Sequence, residues 1–244
     1  MRILGIVKYN GYHYQGWQRQ PDALSVQEEI EKVLSQFFNQ PITIYGAGRT
    51  DAQVHALRQH FHFDVNKEEI DFSRALYSLN MMLPEDIELI SLKEVDDNFH
   101  ARYDAKEKRY SYTIYKSNKN VFSYQLVSLI PEKLDTDLMS EALTHFIGEH
   151  CFKNFTSKKE DKDNFIRIIN KATLEENEES IVINFQGNGF MQYQIRFMVG
   201  MLIEIGKHKR EIDEIDYLLD EKSERNISSY KAPASGLYLV DVIY

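Results

Sequence analysis

A segment with two glycines constrains the fold of this chain more than any other feature. It reads GAGRTDAQVHA over residues 46–56 and follows a strand-like apolar run at 42–45. Because glycine lacks a Cβ, its backbone can turn sharply and approach another molecule closely. The pattern therefore predicts a strand that leads into a tight turn, with Asp51 presented at the strand end and Arg49 close by.

The Arg49 and Asp51 pair has two interpretations. A nearby cation keeps a carboxylate ionised even when it is partly desolvated, and an ionised, positioned aspartate can act as a nucleophile. The alternative is a glycine turn that carries a surface ion pair. A short Gly-Arg-Thr-Asp string does not by itself decide between them.

Length and composition exclude several classes of protein. The 244 residues fit one large domain or two modest ones with a buried core, and 43% hydrophobic content excludes a disordered chain. No apolar run reaches the ~18 residues of a membrane helix, and the start shows no signal-peptide pattern. Cys151 is the only cysteine, which excludes an intrachain disulfide and cysteine-based zinc sites. We therefore expect a cytoplasmic enzyme or binding protein that does not enter a membrane.

The spacing of apolar residues predicts an α+β fold. Ser25 and Glu28 form a capping box, and the apolar residues after them repeat with the spacing of one buried helix face until Pro41. Further helices are predicted over 72–82, 138–147 and 191–205. The stretch 2–14 is predicted to be a strand that leads into a turn around residues 10–11. Further strands are predicted over 42–45, 59–65, 87–95, 110–115, 166–174, 181–186 and 237–244. These elements interleave without a regular βαβ repeat, which favours α+β.

The charge is unevenly distributed. A net charge of -9 argues against a protein that holds RNA indiscriminately. Residues 100–120, however, hold six basic and two acidic side chains, a net of +4, and residues 153–171 hold six against three, a net of +3. This distribution fits selective binding to a folded RNA. Charge alone fits a solvated surface of mixed charges equally well.

Six motifs together resemble the TruA-type tRNA pseudouridine synthases. The 46–56 segment resembles the signature of that family, usually written GRTDAGVHA. The other motifs follow the family's order along the chain: YQGWQRQ (14–20), FHAR (99–102), KRYSY (108–112), GNGF (187–190) with IRFMVG (195–200), and APASGLYL (232–239). Six ordered matches over nearly the whole chain are far more specific than any single one.

The resemblance implies an isomerase that converts uridine to pseudouridine at positions 38, 39 and 40 of the tRNA anticodon arm, without a cofactor. It implies a central, mostly antiparallel sheet flanked by helices and split into two related lobes, which we place at residues 1–104 and 105–244. It also implies a homodimer that binds tRNA. The rival interpretation is a non-catalytic RNA-binding protein that retains the synthase fold.

The resemblance assigns the chemistry to Asp51, Arg49 and Tyr110. Asp51 is expected to be the nucleophile and either adds to C6 of the uracil or attacks C1′ of the ribose; the sequence leaves both routes open. Arg49 is expected to keep Asp51 charged or to contact a flanking phosphate through two hydrogen bonds. The Tyr110 ring is expected to stack on the target base, which loses its own stacking partners, and to take a proton late in the reaction. We assign the neighbouring Tyr112 to packing.

The sequence offers further candidates for substrate binding. Arg196 lies in an otherwise apolar helical stretch, where a buried charge needs a partner, and the resemblance points it toward the active site. Leu237 and Leu239 are candidates for the wall of the uracil pocket, and we expect strand alternation to let only one of them reach it. Arg102 belongs both to a family motif and to the basic 100–120 segment.

Three histidines are metal-ligand candidates by residue type, and the chain departs from the family pattern at two places. His55, His60 and His62 have no companion carboxylate or cysteine at a recognised spacing, so we expect structural histidines and no metal. Gln53 stands where the family signature has glycine. At positive φ it would be strained by roughly 1 kcal/mol or more, and at an RNA contact it would alter fit. Residues 192–194 also differ from the commoner family versions.

Overall fold

The computed structural model describes residues 1–157, 165–227 and 230–244. It divides into two compact units, one formed by Met1–Lys106 with Tyr238–Tyr244 and the other by Glu107–Leu237. The first unit therefore includes the end of the chain, whereas each of the two predicted lobes is continuous in sequence. The boundary at 104/105 and the relationship between the lobes stay predictions.

The first unit contains five strands and two α-helices. Its elements are β1 (Arg2–Tyr9), α1 (Val26–Phe38), β2 (Tyr45–Gly46), β3 (His55–Asp64), α2 (Phe72–Asn80), β4 (Ile87–Val95) and β10 (Leu237–Ile243). The strand order is β4-β1-β3-β10, and the short β2 also pairs with β3. β1 runs antiparallel to both of its neighbours, while β10 runs parallel to β3. α2 packs against β4.

In its described residues, the second unit contains five strands and three α-helices. Its elements are β5 (Glu107–Tyr115), β6 (Ser128–Leu129), α3 (Thr136–Thr144), β7 (Gly148–Cys151), β8 (Ile166–Glu176), β9 (Ser180–Gly187), α4 (Gln194–Gly206) and α5 (Asp213–Leu219). β5, β9, β8 and β7 pair antiparallel in that order, and β6 is parallel to β5. α3 packs against both β8 and α4. The mostly antiparallel pairing and interleaved helices confirm the predicted α+β class.

The start of α1 confirms the Ser25 half of the predicted capping box. The Ser25 hydroxyl accepts a hydrogen bond from the Glu28 N–H at 3.4 Å, which satisfies one of the otherwise unpaired donors of the first turn. The helix ends in a left-handed residue, Asn39 (φ 53°), two positions before Pro41. Its apolar stripe is buried, so the helix covers one face of the first unit's core.

The predicted strand at 42–45 is wrong for most of its length, since only Tyr45 belongs to a strand. Side chains of α1 bind the backbone here in place of a neighbouring strand. The Glu31 carboxylate accepts from the Ile44 N–H at 3.0 Å, and the Gln27 amide donates to the Ile44 carbonyl at 3.2 Å. The Ile42 N–H donates to the Ser35 hydroxyl at 2.9 Å. The residues still alternate between buried and exposed, which explains the strand-like pattern.

Candidate active site

The signature loop, residues 46–56, contains a tight turn that carries Asp51. The Asp51 carbonyl accepts from the Val54 N–H at 3.2 Å, and Gln53 has a φ of +65°. Positive φ at the third position of such a turn is typical of type II turns and favours glycine. The position where the family has glycine is thus left-handed in this chain, and glutamine there costs roughly 1 kcal/mol. Asp51 itself is half-buried.

The YQGW segment holds the signature loop from one side. The Gln53 N–H donates to the Tyr14 carbonyl at 3.1 Å, and the Trp17 N–H donates to the Thr50 carbonyl at 3.1 Å. Between them, Gly16 has a φ of +98°, and a Cβ at this position would lie 2.7 Å from the Thr50 carbonyl oxygen. Only glycine allows this approach. The segment therefore fixes the backbone on both sides of Asp51.

Side-chain hydrogen bonds also hold the signature loop. The Tyr9 and Thr50 hydroxyls share a hydrogen bond of 2.9 Å, and the Gln59 amide donates to the Gly48 carbonyl at 2.9 Å. Burial raises the pKa of Tyr9 well above its ordinary value, so its hydroxyl stays protonated. The indole of Trp17, 2% exposed, packs near the Tyr9 ring. The supporting roles of Tyr9 and Gln59 leave no local signal in the sequence, because their pairing depends on tertiary contacts.

The two candidate arginines of the first unit both lie at the surface. Arg49 and Arg102 are exposed, so their guanidinium groups are accessible to a ligand. The Arg102 N–H donates to His100 Nδ1 at 3.1 Å, which shapes the turn after the FHAR motif. The charge pairing of Arg49 with Asp51 stays a prediction.

Tyr110 and Tyr112 lie on β5 in the second unit. Tyr110 is 8% exposed and packs edge-on against Phe190, with the ring centroids 5.2 Å apart. Phe190 belongs to the GNGF motif, so two separate motifs meet in this contact. Tyr112 is fully buried and its hydroxyl donates to the Pro233 carbonyl at 2.8 Å, as expected of a packing residue.

Arg196 is half-buried in the first turn of α4. Its Nε donates to the Ala232 carbonyl at 2.8 Å, and its own carbonyl accepts from the Ala232 N–H at 3.0 Å. Its Cζ also lies 5.5 Å from the centroid of the Tyr193 ring. A backbone carbonyl is thus one partner of the half-buried Arg196 charge. The sequence pattern did not indicate this partner. Its orientation toward the substrate stays a prediction.

Leu237 and Leu239 are both buried, at 5% and 1% exposure. Residues two positions apart on a strand share a face, and the burial pattern of β10 puts both on the buried one. The expectation that strand alternation separates them is therefore wrong. Their contact with a uracil stays a prediction.

The basic segments are partly neutralised in the folded chain. Arg109 pairs with Glu107 at 2.8 Å and Lys116 pairs with Glu176 at 2.5 Å. Arg102, Lys106 and Lys119 are exposed. In the second segment, Lys158, Lys159 and Lys162 lie outside the described residues. Residues 100–120 therefore present less accessible positive charge than the number of their basic residues indicates.

The three histidines have structural contacts. His55 Nδ1 accepts from the Gly11 N–H at 3.0 Å, and His62 Nδ1 accepts from the Ala101 N–H at 3.1 Å. His60 Nε2 lies 3.2 Å from the Asp241 carboxylate. Desolvation lowers the pKa of His62 to about 4, which keeps its ring neutral and able to accept. Within the described parts of the chain, no group of three or more histidine, cysteine or acidic residues could hold a metal ion.

Comparison with known proteins identifies the family of this chain. A family model described as tRNA pseudouridine synthase matches residues 6–104 and 142–244. This is well over half of the chain. The chain belongs to the tRNA pseudouridine synthase family and is an isomerase.

Individual relatives are similar over almost the full chain. A protein of Exiguobacterium sp. is 40% identical over 243 residues, covering 100% of this chain and 98% of its own length. A Streptococcus gordonii protein is 39% identical, with coverage of 100% and 98%, and a Staphylococcus aureus protein is 37% identical, with coverage of 98% and 89%. All three are named tRNA pseudouridine synthase A.

Similarity to solved structures is much weaker. A structure described as a Cbf5-Nop10-Gar1 complex matches 97% of this chain and 57% of its own, at 10% identity and a TM-score of 0.38. A likeness at this level carries no argument about the site. In the described part of this chain, no helix combines the length and apolarity needed to cross a membrane.

Proposed function

We propose that this protein isomerises uridine to pseudouridine at positions 38, 39 and 40 of the tRNA anticodon arm, with Asp51 as the nucleophile. Family membership supports the reaction class, and the ordered motifs support the anticodon arm as the target. One observation carries the assignment of Asp51. The residues on both sides of it, Thr50 and Gln53, are bonded to the YQGW segment, so a fixed backbone carries the carboxylate.

The proposed reaction is balanced without a second reactant. The N1–C1′ bond breaks, the uracil rotates, and a C5–C1′ bond forms, while C5 loses a proton and N1 gains one. Asp51 either adds to C6 or attacks C1′, and it leaves again when the intermediate resolves. Tyr110 stacks on the displaced base and takes the late proton. No cofactor is assigned, because the isomerisation needs neither a redox partner nor external energy.

The remaining site residues are assigned to substrate binding. Arg102 is an exposed cation in the first unit that suits a phosphate group of the RNA. Arg49, which is also exposed, keeps its catalytic assignment and either holds Asp51 charged or contacts a flanking phosphate. Arg196 is proposed to contact the target nucleotide, and Leu237 and Leu239 to provide apolar surface for the uracil. Each role is inherited from the resemblance and is supported by the exposure or burial that the structure gives the residue.

The proposal is tested by incubating the purified protein with an unmodified tRNA transcript and mapping pseudouridine chemically. Product at the anticodon-arm uridines is expected. An Asp51→Asn protein preserves shape but removes the negative charge, so its turnover should vanish while its tRNA affinity stays within a few-fold. Retained turnover would remove Asp51 from the nucleophile role. Tight tRNA binding by the wild type without any product would favour the rival, non-catalytic RNA-binding protein.

We also propose that the protein acts as a homodimer in the cytoplasm, where one tRNA contacts both subunits. A 28.7 kDa chain with a net charge of -9 offers only small basic patches, and two-fold symmetry joins patches from both chains. Val121, Phe122 and Tyr124 are exposed by 68%, 97% and 51% and form the candidate interface. Light scattering at micromolar concentration should give twice the chain mass. A fully active monomer would show that one subunit suffices.

A further inference from the structure

We propose that Lys231 binds a phosphate of the substrate RNA backbone and that the Tyr193 ring, which Arg196 also contacts, positions its ammonium group. This inference rests on the proposed function, because it adds a contact to the same RNA substrate. It starts from two cations that share one ring. Lys231 Nζ lies 3.9 Å from the centroid of the Tyr193 ring, and Arg196 Cζ lies 5.5 Å from it.

The backbone brings these side chains together. Arg196 and Ala232 exchange two hydrogen bonds, one between their backbones and one from Arg196 Nε to the Ala232 carbonyl. One turn further along α4, a Cβ at Gly200 would lie 1.9 Å from the Tyr230 carbonyl oxygen. Glycine at this position thus lets the chain approach the helix closely. Lys231 lies between these two contacts, so its Cα is fixed relative to α4.

The backbone of Tyr193 is strained in the conformation that places its ring here. Its φ is +62°, a left-handed conformation that costs roughly 1–2 kcal/mol for a residue with a Cβ. The ring also packs edge-on against Phe197, with centroids 6.4 Å apart. A strained residue whose side chain has fixed contacts is typical of a functional position. Attraction between a cation and an aromatic face is the contact that the ring supplies to Lys231.

A phosphate is the ligand that this arrangement fits. Lys231 and Arg196 are two like charges near one ring, and an anion bound at Lys231 lowers the repulsion between them. Lys231 is exposed, so its ammonium group is accessible to a ligand from solvent. The RNA substrate presents phosphodiester groups along its backbone, and lysine binds phosphate as a point charge. On a chain with a net charge of -9, a paired cation site also selects where RNA is held.

The first test compares Lys231→Gln with Lys231→Arg and wild type. Each protein binds an unmodified tRNA transcript over a series of salt concentrations, and the slope of log K against log salt is measured. Loss of one phosphate contact should reduce the slope by about 0.7–0.9 and weaken binding several-fold at low salt. Lys231→Arg keeps the charge and should keep the slope. In turnover, the loss should appear mainly in KM.

The second test addresses Tyr193 as a positioning residue. Tyr193→Phe keeps the aromatic face and should retain the wild-type slope, whereas Tyr193→Leu removes the face and should reproduce the Lys231→Gln slope. Combining Tyr193→Leu with Lys231→Gln should add no further loss. If the folded Lys231→Gln protein keeps the wild-type slope while the wild type forms pseudouridine, this inference is overturned and the proposed function stands. A wild-type protein that binds no tRNA overturns both this inference and the proposed function.

Discussion

A residue with left-handed backbone lies close to a candidate site residue in each unit. Gln53 follows Asp51 by two positions and has a φ of +65°, while Tyr193 precedes Arg196 by three and has a φ of +62°. Neither is glycine, so each conformation costs the fold of the order of 1 kcal/mol.

The two residues differ in which part of them is held. The Gln53 side chain is exposed, and its N–H is bound to the Tyr14 carbonyl. The Tyr193 ring contacts Lys231, Arg196 and Phe197. The left-handed backbone of Gln53 therefore shapes a turn in the first unit, whereas that of Tyr193 places a side chain in the second. The comparison predicts that the first site depends on close backbone contacts and the second on a ring.

Gly16→Ala tests whether the signature loop depends on close backbone contact, and it should have the greatest effect. The added Cβ meets the Thr50 carbonyl oxygen at 2.7 Å in a residue with a φ of +98°, so the free energy of unfolding should fall by about 2 kcal/mol or more. A displaced Asp51 should also cost on the order of 100-fold in kcat/KM. Denaturant unfolding and the pseudouridine assay measure the two effects.

Gly189→Ala is the matched control for stability. A Cβ at Gly189 has nothing within 4 Å, so its free energy of unfolding should stay within about 0.5 kcal/mol of wild type. If Gly16→Ala behaved like this control, the signature loop would not depend on close backbone contact.

Mild acid should weaken the first unit. His60 and His62 both lie there, and burial lowers the pKa of both, that of His62 to about 4. The unfolded chain binds these protons near pH 6.5, so stability is complete above that pH and is lost as the pH falls toward 4. Between pH 7 and pH 5 the loss should be on the order of 1–2 kcal/mol. Amide hydrogen exchange in β3 at both pH values measures it, and replacing His62 with Gln should flatten the dependence.

Tyr9→Phe removes the hydroxyl that binds Thr50 from below the loop. The lost hydrogen bond is buried, so the change should cost about 1 kcal/mol of stability and reduce turnover a few-fold. A double-mutant cycle with Thr50→Val isolates the pair, and a coupling of about 1 kcal/mol is expected. Additive effects of the two changes would show that this hydrogen bond does not support the loop.

Replacing each left-handed residue with glycine separates the cost of its backbone from the role of its side chain. Gln53→Gly relieves the strained φ but adds freedom to the unfolded chain, so stability should rise by only about 0.5 kcal/mol, with turnover retained. Tyr193→Gly relieves similar strain but removes the ring, so tRNA binding should become less dependent on salt. Thermal unfolding and salt titration distinguish the two. A loss of turnover in Gln53→Gly would mean that this side chain contacts the RNA.

The fold was predictable from sequence where local signals and burial agree. α1 and β4 begin where their cap and spacing indicate, because one apolar face decides each of them. The run at 42–45 has the same alternation, but side chains of α1 bind its backbone, and no local pattern reveals that. β6, β7 and α5 were missed because elements of two, four and seven residues are too short to show a period.

The site was predictable in its residue types and much less so in its supports. The resemblance supplies Asp51, Arg49 and Tyr110 as candidates. The structure adds Gly16 as the residue that makes room for the turn, and the fact that Gln53 adopts the left-handed conformation of a glycine. Lys231 and Tyr193 were out of reach, since they are far apart in sequence and meet only in the folded chain, where Arg196 and Ala232 exchange hydrogen bonds.

The discontinuous first unit has a consequence for biosynthesis. β10 pairs with β3 through Tyr238 opposite His55 and Leu239 opposite Ala56, so a strand translated early must wait for a partner that is translated much later. Domains generally fold as units during synthesis, but this unit cannot complete its sheet until β10 has emerged from the ribosome. Until then His55 and Ala56 lack their strand partners, whereas Phe61 and His62 can already pair with β2. An uncovered stretch of strand edge is prone to pairing with other chains. A ribosome stalled before residue 238 should therefore hold a first unit that proteases cut readily, and release of the full chain should end that sensitivity.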